Sequence, residues 1–186
     1  MTIKSILVLG SGPIKIGQAA EFDYAGSQAC KALHEEGYRV ILLNSNPATI
    51  QTDTAMAYIV YIKPLTAKTV EGIVKEHHPK GVIATLGGQT ALNLCVECEE
   101  KGIWREFGVK VLGTPTSAIK TAEGRESFKE LTKKIGQPVP ASVSASSVDE
   151  ALEFACSNRY PLIIRPDYTL GGTGGGVAKK EEELKI

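Results

Sequence analysis

Ser5-Ile6-Leu7-Val8-Leu9-Gly10-Ser11-Gly12-Pro13-Ile14-Lys15-Ile16-Gly17 decides the fold class, because an unbroken apolar run meets a glycine-rich loop. Apolar residues without polar alternation are what a central parallel strand, covered on both faces, requires. After the loop, Phe22, Ala25, Ala29 and Ala32 recur at helical spacing until Glu36-Gly37 stops the helix. Strand, glycine loop and helix form the first half of a βαβ unit.

The same grammar repeats along the chain. Val40–Asn44, Tyr58–Tyr61, Gly81–Ala84 and Val109–Gly113 read as the second to fifth strands. Val70, Ile73, Val74 and His77 share one face of a helix before the fourth strand, and Gly87-Gly88-Gln89-Thr90 opens the helix that follows it. Strands and helices alternating at these lengths predict right-handed crossovers and an α/β fold with a doubly wound parallel sheet. Ligands gather at the carboxyl ends of strands in such sheets. Gly10–Gly17, Asn44-Ser45-Asn46-Pro47 and Leu86-Gly87-Gly88-Gln89 all fall there.

Beyond Thr114-Pro115 the pattern changes to a helix with Phe128, Leu131 and Ile135, then Gly136-Gln137-Pro138-Val139-Pro140. A further helix is opened by the capping box Ser147-Val148-Asp149-Glu150. Glu181–Ile186 reads as the start of another helix. These elements make a thin core for an independent α+β domain, so the second unit is expected to be incomplete and the chain a fragment.

Within that unit, Ile163-Ile164-Arg165-Pro166-Asp167-Tyr168-Thr169-Leu170-Gly171-Gly172-Thr173-Gly174-Gly175-Gly176 joins an apolar strand to a loop made largely of glycine. Each glycine gives up about 0.5–1 kcal/mol more on ordering than alanine would. A polyanion recovers such a cost, since bare backbone N–H groups approach phosphate closely and the Arg165 guanidinium grips it as a fork. By composition alone the run is a flexible linker. Its flanks favour the phosphate reading: Gly176-Val177-Ala178 is strand-like, so the segment predicts a β-hairpin flap.

Two nucleotide signatures are incomplete. G-x-G-x-x-G would need glycine or alanine where Lys15 stands, and Asn44 replaces the acid that holds a ribose. A nicotinamide-binding domain is therefore the alternative rather than the main reading. Gly171 and Gly176 have Walker A spacing, but Val177 follows where lysine is needed.

The chain has 186 residues, 42% of them apolar, with 21 basic and 21 acidic side chains. Balanced charge gives no footprint for nucleic acid or an anionic membrane. With no apolar run of bilayer length and a strand close behind Met1, a cytoplasmic protein is expected. Cys30, Cys95, Cys98 and Cys156 are expected as reduced thiols inside helices. Cys95-Val96-Glu97-Cys98 spells C-x-x-C, but Ala91, Leu92, Cys95 and Cys98 share a helical stripe, which predicts core packing rather than zinc or redox chemistry. His34, His77 and His78 are expected to be solvated.

Four segments taken together carry a family resemblance: Gly17-Gln18-Ala19-Ala20-Glu21-Phe22-Asp23-Tyr24-Ala25-Gly26, Asn44-Ser45-Asn46-Pro47-Ala48-Thr49, Gly87-Gly88-Gln89-Thr90-Ala91-Leu92-Asn93, and Ile164-Arg165-Pro166 with the glycine flap. In that order, over the whole sequence, they resemble the carbamoyl-phosphate synthase large chain. Ala91-Leu92-Asn93 and the glycine-only flap match the first of that family's two homologous halves. The resemblance implies a Rossmann-like pre-ATP-grasp domain at residues 1–118, followed at 119–186 by the incomplete start of an ATP-grasp domain.

It also implies an ATP-dependent ligase whose first half phosphorylates bicarbonate to carboxyphosphate on the way to carbamoyl phosphate. By the same carry-over, Arg125 and Arg165 contact the nucleotide, and Gly171 and Gly172 lie over its phosphates. ATP, bicarbonate and magnesium or manganese are the implied small molecules, with the metal ligands outside this stretch. A glutaminase small chain is the implied partner, in arginine or pyrimidine synthesis. Alone, this stretch is expected to be inactive. A competing reading makes it an interface module, in which Gly87–Thr90 and Asn44–Thr49 are buried contacts that dock the ATP-grasp domain and the glutaminase.

Overall fold

The computed structural model describes residues 4–18, 20–166 and 174–184. The chain divides into two compact units, residues 1–119 and 120–186.

Unit 1 begins with β1 (Ser5–Leu9), α1 (Glu21–Glu35) and β2 (Arg39–Asn44), followed by a single 3-10 turn at Ile50–Thr52. Next come β3 (Ile59–Ile62), α2 (Ala67–His77), β4 (Gly81–Ile83), α3 (Gly88–Glu100), α4 (Ile103–Glu106) and β5 (Lys110–Val111). All five strands are parallel, in the order β3-β2-β1-β4-β5. The order reverses direction beside β1, so a crevice opens at the carboxyl ends of β1 and its neighbours.

Period-two alternation divides the strands between two cores. Leu7, Leu9, Ile41 and Leu43 pack with Val70, Ile73 and Val74 of α2 and with Ala91, Leu94, Cys95 and Cys98 of α3. Val8, Val40 and Leu42 pack on the other face with Cys30 of α1. The apolar runs of the central strands β1 and β2 are thereby accounted for, since helices cover them on both faces.

Local chemistry sets the helix ends. Gly37, at φ 78°, takes the left-handed turn after α1, and its N–H bonds to the His34 carbonyl at 2.9 Å. Thr66 caps α2 by accepting the Thr69 N–H on its hydroxyl at 3.3 Å. The fifth strand is shorter than the predicted Val109–Gly113, although Leu112 N still bonds to Val82 O at 2.9 Å. α4 had no counterpart in the periodicity reading, because one turn is too short to show a period.

The unit boundary falls inside α5 (Thr116–Glu123). Gly124 then adopts an extended conformation and α6 (Arg125–Lys134) starts anew, so the helix predicted around Phe128 is preceded by a separate one. α7 (Val148–Ser157), β6 (Leu162–Ile164), β7 (Gly176–Ala178) and α8 (Glu181–Leu184) complete unit 2. β6 and β7 form the predicted antiparallel hairpin, with Ile163 opposite Val177. Ser147 caps α7 as predicted, accepting the Glu150 N–H at 3.2 Å. The reciprocal bond lies one residue earlier than in a standard capping box: the Glu150 carboxylate accepts the Ser146 N–H at 2.7 Å. No described helix is long and apolar enough to cross a membrane.

Candidate functional site

In unit 2 the sequence-predicted residues meet at the root of the hairpin loop. Arg125 is the first residue of α6 and is half-buried. Its Nε and Nη2 both donate to the Pro166 carbonyl, at 3.1 and 2.9 Å. Pro166 is the last described residue before the glycine run, and Arg165 stands beside it at the end of β6. The two arginines thus converge on one stem. Gly171 and Gly172 lie outside the described residues.

Arg165 is exposed and makes no hydrogen bond or ion pair among the described residues. Its five N–H donors are available to an anion, and a planar fork suits phosphate oxygens. A cation at the start of α6 opposes the helix macrodipole by about 0.3–1 kcal/mol, and the carbonyl held by Arg125 offsets part of that. Ser127 fixes the α5–α6 joint through its hydroxyl, which donates to the Gly124 and Thr121 carbonyls at 2.9 and 3.1 Å. Glu126 and Lys129 pair at 3.3 Å, so the acid next to Arg125 is partly neutralised.

In unit 1 the three predicted loops do gather at the carboxyl edge of the sheet, around Asn44, noted in the sequence as the residue in place of a ribose-holding acid, and Gln51, which the sequence reading had not singled out. Asn44, fully buried at 0% exposure, accepts the N–H groups of Gly12 and Asn46 on Oδ1, at 3.1 and 2.9 Å. Its Nδ2 donates to Gln51 Oε1 at 2.6 Å, and Gln51 is likewise 0% exposed. A Cβ on Gly10 or Gly26 would overlap the Gln51 amide. Gly26 lies within α1, where glycine costs about 0.5–1 kcal/mol relative to alanine. That cost was the available signal for Gln51, because a glycine inside a helical pattern marks a close approach.

The cysteines of C-x-x-C are core residues, as their helical stripe implied. Cys95 and Cys98 are buried on α3, where burial pushes their thiols up to about 11 and about 12. A thiol held that far above neutrality is a poor nucleophile and a poor metal ligand. His77 departs from expectation: it is only 20% exposed and its Nε2 lies 2.6 Å from the Tyr61 hydroxyl. Tyr61 also lies 3.2 Å from Glu76, so the ring closes a small network over β3 rather than facing water. Among the described residues there is no group of three or more His, Cys, Asp or Glu side chains that could hold a metal ion. The donor set of the described residues therefore does not fit the implied magnesium or manganese.

Comparison with known proteins covers both units. Residues 2–121 match the model described as carbamoyl phosphate synthase preATP-grasp domain. Residues 124–186 match the one described as carbamoyl-phosphate synthase L chain, ATP binding domain. A carbamoyl phosphate synthase large chain from Thermoanaerobacter pseudethanolicus is 58% identical over 98% of this chain, which corresponds to 17% of that protein. A protein of Methanopyrus kandleri described as the N-terminal section of the large chain is 58% identical over 99% of this chain and 33% of its own length. An arginine-specific large chain from Halalkalibacterium halodurans is 56% identical over 98% of this chain. The chain thus spans between about a sixth and a third of the curated relatives it matches.

Among solved structures, the biotin carboxylase domain of Hydrogenobacter thermophilus 2-oxoglutarate carboxylase aligns over 100% of this chain and 39% of that one, with TM-score 0.69 and 22% identity. That structure is a complex with MgADP, ADP and bicarbonate. The N5-carboxyaminoimidazole synthetase of Staphylococcus aureus aligns over 100% of this chain and 45% of that one, at TM-score 0.62 and 16% identity. At these identities the likeness is one of fold.

Proposed function

This chain belongs to the carbamoyl-phosphate synthase large-chain family, and from that premise we propose that it supplies part of the ATP site that phosphorylates bicarbonate. In this reading residues 1–118 are the pre-ATP-grasp domain and residues 119–186 open the ATP-grasp domain. A bicarbonate oxygen attacks the γ-phosphorus of ATP, ADP leaves, and carboxyphosphate forms. Such transfers depend on positioning and on cancelling charge at the phosphoryl oxygens.

The observation that carries the proposal is the convergence of Arg125 and Arg165 at the Pro166 stem of the hairpin loop. Arg165 grips phosphate oxygens, Arg125 holds the stem and faces the nucleotide, and Gly171 and Gly172 lie over the phosphates. The described residues do not form a cage for magnesium or manganese, so no step is routed through a metal here. Carboxyphosphate passes onward to carbamoyl phosphate with nitrogen from a glutaminase partner, in the cytoplasm, for arginine or pyrimidine synthesis.

Since the chain spans so small a share of its relatives, by itself it is expected to bind ATP weakly and not to turn over. Calorimetry with ATP and magnesium tests this on the chain as given and on a version lengthened to the span of its relatives. Arg165→Ala in the longer protein is expected to weaken ATP binding at least tenfold, about 1.4 kcal/mol. Unchanged affinity would remove Arg165 from the site.

A further inference from the structure

In dinucleotide-binding sheets an acid at the end of the second strand holds the ribose, and the glycines of the first turn let backbone N–H groups reach the pyrophosphate. In this chain both places are occupied by its own amides. Asn44 is the last residue of β2, and its Oδ1 takes the Gly12 N–H, one of the donors a phosphate would use. The same oxygen takes the Asn46 N–H. Gln51 reaches back from the 3-10 turn to lie against Gly10 at the end of β1 and Gly26 in α1, with its oxygen on Asn44 Nδ2. The 3-10 turn is itself tied down, since Thr49 Oγ1 accepts the Gln51 N–H at 3.2 Å and Thr52 Oγ1 donates to the Asn46 carbonyl at 3.1 Å.

We propose that Asn44 and Gln51 are positioning residues that stand in for a nucleotide in unit 1. Gln51 fills the space beside Gly10 and Gly26 and holds Asn44, and Asn44 gives the Gly12 and Asn46 N–H groups the acceptor that ribose and phosphate oxygens supply in dinucleotide-binding sheets. Backbone N–H groups at a sheet edge must find acceptors, and the Asn44 amide oxygen meets that need for two of them without a ligand, while Gln51 Nε2 is buried with no hydrogen-bond partner among the described residues. The carboxyl edge of unit 1 is thereby set in advance and closed to nicotinamide dinucleotides. The inference concerns unit 1 alone and does not depend on the ATP site proposed in unit 2.

Two measurements on the full chain test it. In a titration of isotope-labelled protein with NAD up to millimolar concentration, the amide signals of Gly10, Gly12 and Asn46 are expected not to move; a saturable sub-millimolar shift at these positions overturns the proposal. Hydrogen exchange is then compared between the parent and Gln51→Met, which keeps the side-chain volume and removes the amide. Exchange at Gly12 and Asn46 is expected to rise at least tenfold, with Leu7 and Leu42 retaining their protection relative to global unfolding. If Gly12 and Asn46 exchange as in the parent, Gln51 only fills space and the proposal fails. The titration requires no variant, so it decides the matter even if Gln51→Met does not fold.

Discussion

From Ser5 to Val111 the chain lays helices on both faces of a five-stranded sheet, whereas between Arg125 and Leu184 the larger apolar side chains among the described residues are patterned just as regularly and mostly uncovered. Leu7, Leu42 and Val74 are fully buried in unit 1. Phe128 and Leu131 on α6 and Ile135 at its C-cap follow helical spacing and are 51%, 40% and 62% exposed, and no residue of α6 is buried. On the hairpin, Ile163 and Val177 face each other across the strands and stay 74% and 55% exposed. Pattern is enough to make an element; a core needs a second layer to receive its apolar face. A two-stranded hairpin is marginal in water without such a layer.

Thiol chemistry gives the widest separation between the units. Cys30, Cys95 and Cys98 are buried in unit 1, with thiols raised to about 11, about 11 and about 12, while Cys156 of unit 2 is exposed. At pH 8 a thiol of pKa about 11 is ionised in only about one molecule in a thousand, and the thiolate is the reactive form. A disulfide reagent is expected to label one cysteine quickly and the other three only after unfolding. Fast labelling of two or more sites in the native chain contradicts the core assignment.

Truncation of the two apolar sets should differ nearly as much. Leu7→Ala is expected to cost about 2–5 kcal/mol, because it empties a site packed on every side. Leu131→Ala should stay within about 0.5 kcal/mol, as at a surface position. Denaturant titration followed by Trp104, the single and buried tryptophan, reads the first, and far-ultraviolet circular dichroism reads the second. Equal costs would erase the contrast.

Ser147→Ala sharpens the comparison from the side of unit 2. Loss of the α7 cap is expected to cost about 1 kcal/mol locally and to leave the Trp104 transition in place. A parallel shift of the Trp104 transition would mean that the units unfold as one.

The smallest effect is one of pH on the same cap. The N–H and hydroxyl of Ser146 donate to the Glu150 carboxylate and hold it below its ordinary value. A lowered folded pKa means that the contribution is present above the unfolded value of about 4.3 and disappears as pH falls through the folded one. Amide protection in α7 should therefore fall in acid more steeply in the parent than in Glu150→Gln. Matching acid profiles would show that the carboxylate does not hold the cap.

Much of this architecture was legible because its signals are local. The apolar run ending at Leu9, the glycine after α1 and the serine before α7 each act within a few residues of their own position. Near the candidate ATP site, the strand before Arg165 and the strand after Gly175 could be read from composition, and the hairpin pairing followed from them. The fork between Arg125 and the Pro166 carbonyl could not, since it joins residues 41 positions apart. Likewise the break at Gly124 is one extended residue between two helices, too short an interruption for apolar periodicity to register.

By itself the amino-acid order determined the alternation of strands and helices, the thin second unit and the glycine loops at the strand ends, because propensity, periodicity and turn chemistry are properties of neighbouring residues. Only the tertiary structure decided that Gln51 is interior, that Asn44 serves the backbone of two loops, and that the apolar stripe of α6 is uncovered. Burial is a property of what the rest of the chain brings into contact. A polar side chain in a loop becomes core only when a glycine distant in sequence, here Gly26, leaves it the space.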